Sequence, residues 1–172
     1  MGILSGNPKD EPMHYGEVSN VWGSSTMAKG VISCYQAYLN HAGDSDLKKL
    51  IDDYIDQAKL EVKELDVLLQ DNGIAPAPMM PDRPKVKLED IPVGARFADQ
   101  EIAAALSADS VGGLVYCSQA MAMCIREDIG ALFAKYHAAK TILSGRLLRL
   151  LKEKGWLIPP PLHLKRPEPV KA

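Results

Sequence analysis

Ile74-Ala75-Pro76-Ala77-Pro78-Met79-Met80-Pro81-Asp82-Arg83-Pro84-Lys85-Val86-Lys87-Leu88-Glu89-Asp90-Ile91-Pro92-Val93-Gly94-Ala95-Arg96 is the stretch on which the fold depends. Its five prolines, Pro76, Pro78, Pro81, Pro84 and Pro92, forbid a continuous helix or an interior strand. It is therefore an extended connection, and one so long inside a small domain needs a reason. The reason is geometric. A helix of about 28 residues is about 42 Å long at 1.5 Å per residue. Extended chain covers about 3.3 Å per residue, so this segment can climb a whole helix and start the next one parallel to the last.

On its N-terminal side lie two helical patterns. From about Tyr15 to Ala42, Val18, Val21, Trp22, Ala28, Val31, Ile32, Tyr35 and Leu39 recur mostly three or four apart. Gly43 suits a C-cap and Asp44 an N-cap. Leu47, Leu50, Ile51, Tyr54, Ile55, Ala58, Val62, Leu65, Leu68 and Leu69 then continue to the stop signal Asn72-Gly73. Helices joined by so short a turn run antiparallel. On its C-terminal side a third helix is predicted from near Ala98 to Cys124, with Ile102, Leu106, Leu114, Cys117, Ala120 and Met121 as its apolar set. Gly112-Gly113 is positioned to kink or break it. A fourth starts at Arg126-Glu127-Asp128, carries Ile129, Leu132, Phe133, Tyr136, Leu143, Leu147, Leu150 and Leu151, and stops at Gly155. Four similar helices with one long middle crossover describe an all-α, ferritin-like four-helix bundle. The expected organisation is an N-terminal arm over 1–14, the bundle over 15–156 with its Pro-rich crossover at 74–97, and a Pro-rich tail over 157–172.

Composition agrees with one globular domain. The chain has 172 residues, 47% hydrophobic and 24% charged, with a net charge of −2. There is no basic excess to neutralise phosphates, which argues against a nucleic-acid partner. No run of about 18 apolar residues suggests a membrane span, and Met1 to Pro12 lack the pattern of a signal peptide. Three cysteines, Cys34, Cys117 and Cys124, suit a reducing compartment, so a cytoplasmic location is expected.

A bundle of this shape can host a di-iron centre, which needs Glu from two helices and Glu-x-x-His from the other two. The sequence does not supply that set. Glu61 and Glu64 have no histidine three residues on, and His137 follows Ala134. Stepping 3.5 residues from Leu47 brings Glu61 onto the apolar seam, at about the height of His137, with Asp109 a turn or so away. Two readings follow. One is a one-metal or proton-relay site of Glu61, His137 and Asp109, as in a divergent metal-binding ferritin-like protein or oxidoreductase. The other has Glu61 paired with Lys59, Lys63 or a surface lysine and His137 at the core edge. The incomplete ligand set favours the second. No cofactor and no catalytic residue is expected. Ser24, Ser25 and Thr26 lack a nucleophile elbow. His14 and His41 stand about 40 Å apart along one helix, so they cannot share a ligand within one chain, and His41 suits a helix C-terminus. Cys117, Cys124, Met27, Met121 and Met123 suit core positions.

Exposed apolar groups offer another use. Trp22, Trp156, Leu157 and Ile158 lie at or near helix ends, and the alternation of proline and apolar residues from Ile158 to Leu164 favours an extended strap. These are the candidate interaction residues, on the chain itself or on a neighbour.

Several stretches together carry a family resemblance. Glu17-Val18-Ser19-Asn20-Val21-Trp22 opens the first helix. Tyr38-Leu39-Asn40-His41-Ala42-Gly43-Asp44-Ser45-Asp46-Leu47-Lys48-Lys49-Leu50-Ile51 spans the first turn. Arg126-Glu127-Asp128-Ile129 with Phe133 opens the fourth helix, and Lys154-Gly155-Trp156-Leu157 with Pro159-Pro160 closes it. The chain resembles an uncharacterised ferritin-like family of endospore-forming bacteria, related to coat protein F and often built of two tandem domains. The resemblance implies a structural or sporulation-linked role, no established enzyme activity, and deposition on the forespore or spore coat. It also implies pairing with a second copy, as a homodimer or larger homo-oligomer, or with spore-coat proteins.

Overall fold

The computed structural model describes residues 11–163. Within them are four long helices and no strand: α1 (Tyr15–His41), α2 (Ser45–Asp71), α3 (Asp99–Met123) and α4 (Glu127–Glu153). Most of the arm expected over 1–14, and the tail beyond 163, lie outside the described residues. Between α2 and α3 the chain forms only two 3-10 turns, Leu88–Asp90 and Val93–Ala95.

Local chemistry sets the boundaries. Asp44 caps α2, its Oδ1 accepting the N–H groups of Asp46 at 2.8 Å and Leu47 at 3.0 Å. Among the described residues Gly73 and Gly155 are the two glycines with positive φ, at 73° and 69°. Each follows a helix end and closes a Schellman motif. Ile74 N–H reaches back to Leu69 O, and Trp156 N–H to Leu151 O. Gly43 differs from the sequence expectation. Ala42 is the C-cap of α1, in extended backbone, and the Gly43 N–H donates to Asp99 on α3 instead. α3 runs unbroken through Gly112-Gly113.

α1 packs along α2, and α3 along α4; α2 meets α4 and α1 meets α3 less closely. End contacts give the directions. Glu17, at the start of α1, binds the α3–α4 turn. Asp99, at the start of α3, binds the α1–α2 turn. Helices α2 and α3 therefore run parallel, opposed by α1 and α4. Residues 74–97 follow the outside of α1. Trp22 Nε1 donates to Ala75 O, Gln36 Nε2 to Asp82 Oδ1 and Asn40 Nδ2 to Pro84 O. His41 Nδ1 then accepts the Phe97 N–H at 3.1 Å, and the two rings pack with centroids 5.1 Å apart.

Two apolar clusters fill the interior. One, toward the α1–α2 turn, includes Ile32, Tyr35, Leu47, Ile51, Leu106 and Leu147. The other, toward the α3–α4 turn, includes Val21, Leu65, Leu69, Ile129, Phe133 and Tyr136. Between them lies a belt where polar groups enter.

Candidate functional site: a polar cavity between the helices

All four helices line a cavity of about 300 Å³ in that belt. α2 contributes Tyr54, Gln57, Ala58 and Glu61, spaced three, four and seven residues from the first, hence on one face. α3 contributes Asp109, Gly112, Gly113, Tyr116 and Cys117, α1 the stretch from Ser24 to Tyr35, and α4 Lys140 and Leu143.

The Glu61 side chain is only 3% exposed. Both its oxygens accept hydrogen bonds from Lys140 Nζ, at 2.7 and 2.8 Å, and Oε1 also accepts from Gln57 Nε2 at 3.0 Å. A buried carboxylate needs such compensation, and removing one partner of a buried pair costs about 3–5 kcal/mol. Lys140 reaches Glu61 by passing against Gly113. A Cβ there would stand 3.1 Å from Lys140 Cδ. Gly113 therefore accommodates the lysine stem.

Asp109 and Glu61 line the same cavity, but His137 does not. His137 is half-buried on α4. Asp109 Oδ2 accepts the Tyr35 hydroxyl at 3.2 Å, and burial with that carboxylate beside it pushes the Tyr35 phenol up. Tyr54 Oη and Ser110 Oγ are 2.8 Å apart, and burial raises the Tyr54 phenol too. Burial pushes the Cys117 thiol up to about 11, so it is protonated at neutral pH and a poor nucleophile. Cys124 is held at about 11 by burial and by nearby Glu17. Among the described residues no group of three or more His, Cys, Asp or Glu is arranged to hold a metal ion. The arrangement can neutralise charge, orient hydroxyls and receive a small molecule.

Other buried charges were not singled out in the sequence. Lys29 is 2% exposed; Asp66 flanks its Nζ at 2.9 and 2.8 Å, and Ala77 O accepts from it at 2.6 Å. Ser25 Oγ donates to the same aspartate. This ties α1, α2 and the connection together. The signal was available: Ser25 and Lys29 interrupt the seam of Val21, Ala28 and Ile32. Arg126, 3% exposed, donates to Asn72 Oδ1, to Glu11 O and bidentately to Asp128. Glu17 is fully buried. Of the candidate interaction residues, Trp156 and Leu157 are half-buried against the bundle's own core. Trp22 is 42% exposed and Ile158 92%. No helix of the described residues is long and apolar enough to cross a membrane.

Comparison with known proteins adds a family. The model of a protein of unknown function, DUF3231, matches residues 1–168. The chain belongs to that family. The uncharacterised protein YvdQ of Bacillus subtilis (strain 168) is 49% identical over 166 residues, covering 96% of this chain and 98% of that protein. A crystal structure of a candidate spore coat protein from Bacillus halodurans C-125 shares 50% identity and a TM-score of 0.91, covering 92% of this chain and all of that one.

Proposed function

From that family membership we propose that the chain is a non-enzymatic, ferritin-like structural protein that self-associates within a spore-coat-like assembly. It is made in the cytoplasm, is related to coat protein F and is deposited on the spore surface. The likeness to the Bacillus halodurans protein supports the coat assignment. The parallel course of α2 and α3, with the connection climbing α1, supports the ferritin-like assignment.

The observation that carries self-association is the outer face of α3 and α4. Ala104, Ala108, Val111, Val115 and Ala122 on α3 are exposed, as are Ala131, Ala134, Ala138, Ile142 and Gly145 on α4. Val111, Val115 and Ile142 are 60–64% exposed. No charged side chain interrupts either series, and contiguous apolar surface of this kind marks an interaction site. Glu127 and Arg149 bound the α4 series, and neither has an ion pair among the described residues. Two copies of α4 packed antiparallel about Ala138 bring Glu127 of each opposite Arg149 of the other. A second copy is thus the occupant, in a two-fold interface.

Light scattering tests this reading. The wild-type chain is expected to be a dimer or larger at tens of micromolar, and Ala138→Glu a folded monomer of unchanged helicity. A wild-type monomer sinks the reading, as does an unaltered oligomer in Ala138→Glu.

A further inference from the structure

The cavity has an entrance. α1 and α3 meet loosely, and two hydrogen bonds bracket the gap. Tyr35 Oη donates to Asp109 Oδ2 at 3.2 Å on one side, and Tyr116 Oη to Asn20 O at 2.9 Å on the other. Between them α3 presents Gly112 and Gly113. Consecutive glycines in mid-helix weaken it relative to alanine. Gly113 has a packing reason, the Lys140 stem 3.1 Å from its missing Cβ. Gly112 has none, since a Cβ there would meet nothing within 4 Å. The bare backbone at 112 leaves that space unfilled. Across it stands Met27, 49% exposed, whose flexible thioether adapts to what passes.

The wall has a definite charge. Glu61 and Lys140 neutralise each other. Asp109 has no ion pair among the described residues, and its hydrogen bond from Tyr35 uses Oδ2 alone. The cavity therefore carries one unmatched negative charge at its entrance. Its remaining surface is mostly apolar side chain and tyrosine ring, from Met27, Val31, Leu143, Tyr35, Tyr54 and Tyr116, with Ser24, Gln57 and Ser110 as uncharged polar groups. A volume of about 300 Å³ is at the lower end of the range for small-ligand sites.

We propose that this cavity binds a small organic cation, a primary ammonium on a short apolar body, admitted past Gly112. Asp109 is its counter-ion, the tyrosine rings attract the positive charge, and the apolar body lies inward against Leu143 and Val31. The site opens on the α1 side of α3 beside Ala108, which also borders the proposed dimer face, so binding is read on the Ala138→Glu chain as well as on the wild type to keep the two proposals separable.

Hexylamine, charged at neutral pH, is the probe, with hexanoate and hexanol as controls. Titrations followed by the amide resonances of Gly112 and Gly113 read binding directly. Hexylamine is expected to saturate one site, and hexanol and hexanoate to bind at least about tenfold more weakly, as a lost charge-assisted contact requires. Asp109→Asn, which preserves shape and the bond to Tyr35, is expected to erase the preference for the amine. Gly112→Leu, with its side chain in open space, is expected to block all three. The proposal is overturned by an absence of saturable hexylamine binding, by equal binding of hexanol or hexanoate, or by unaltered affinity in Asp109→Asn.

Discussion

The two ends of the bundle use one device twice. At one end Glu17 Oε1, from the first turn of α1, accepts the backbone N–H groups of Ile125 and Arg126, both at 2.8 Å. At the other, Asp99, from the first turn of α3, accepts those of Gly43 and Asp44, at 2.8 and 3.0 Å. Each carboxylate thereby holds the turn of the opposite hairpin. Each end also has a cation joining two helices: Arg126 reaches Asn72 at the end of α2, and Lys154 reaches Asp44 and Asp46 at the start of α2. The ends differ in solvent. Glu17 and Arg126 are buried, while Asp99 and Lys154 are partly open and Gly43 is exposed. Equal geometry with unequal burial means unequal energy. Water can replace a lost acceptor only where it can reach the donor.

Substituting the two carboxylates is the sharpest comparison. Glu17→Ala leaves three backbone donors without their acceptor, those of Ile125, Arg126 and His14. It also removes a negative charge from beside the buried Arg126. The expected loss is about 3–5 kcal/mol, read as a lower midpoint in urea unfolding. Asp99→Ala leaves two backbone donors, those of Gly43 and Asp44, without their acceptor, and hydration there limits the expected loss to about 1 kcal/mol. Equal losses at the two ends would break the comparison and show that burial does not set the energies.

How much of this was visible in the chain itself divides along the same line. Features that act within one turn of helix were legible. Asp44 as a cap, Asn72-Gly73 and Gly155 as stops, and the proline spacing of 74–96 each have a local cause. Glu61 was legible as an intruder on an apolar seam. Its partner was not, because Lys140 lies 79 residues away and its path depends on a glycine of a third helix. The sequence points to a lysine partner, Lys59, Lys63 or a surface lysine, and the one that closes on Glu61 is Lys140, a turn beyond His137 on α4. Glu17 was legible only as the opening of α1, and Arg126 only as that of α4. That they meet, 109 residues apart, is a property of the assembled bundle. Several residues carrying the family resemblance hold this clasp: Glu17, Arg126 and Asp128. They therefore report the fold rather than a chemistry.

The smallest expected effect isolates the open end. Lys154 and its hydrogen bonds hold the Asp44 and Asp46 carboxyls below the usual range, and the lysine is in turn raised by them. Depressed carboxyls contribute stability that is present above their unfolded pKa, about 4, and lost as pH falls through the folded values. A raised lysine contributes below its own unfolded pKa, about 10.5, and loses that contribution as pH climbs through the folded value. The pair is therefore intact from about pH 4 to 10. Lys154→Met is expected to lower stability slightly across that window and to make the curve shallower below pH 4. Salt at about 1 M shrinks the Debye length to about 3 Å and should mask most of the difference from wild type. At the buried end Asp128 is also depressed, chiefly by its hydrogen bonds from Arg126, and that acid-side slope should survive in Lys154→Met. Urea unfolding of both proteins from pH 2.5 to 7 separates the two contributions. If Lys154→Met leaves the acid limb unchanged, the carboxylate-linked stability belongs to groups other than Asp44 and Asp46, Asp128 of the buried clasp and Glu64 among them, and the exposed clasp orients the α1–α2 turn without stabilising it.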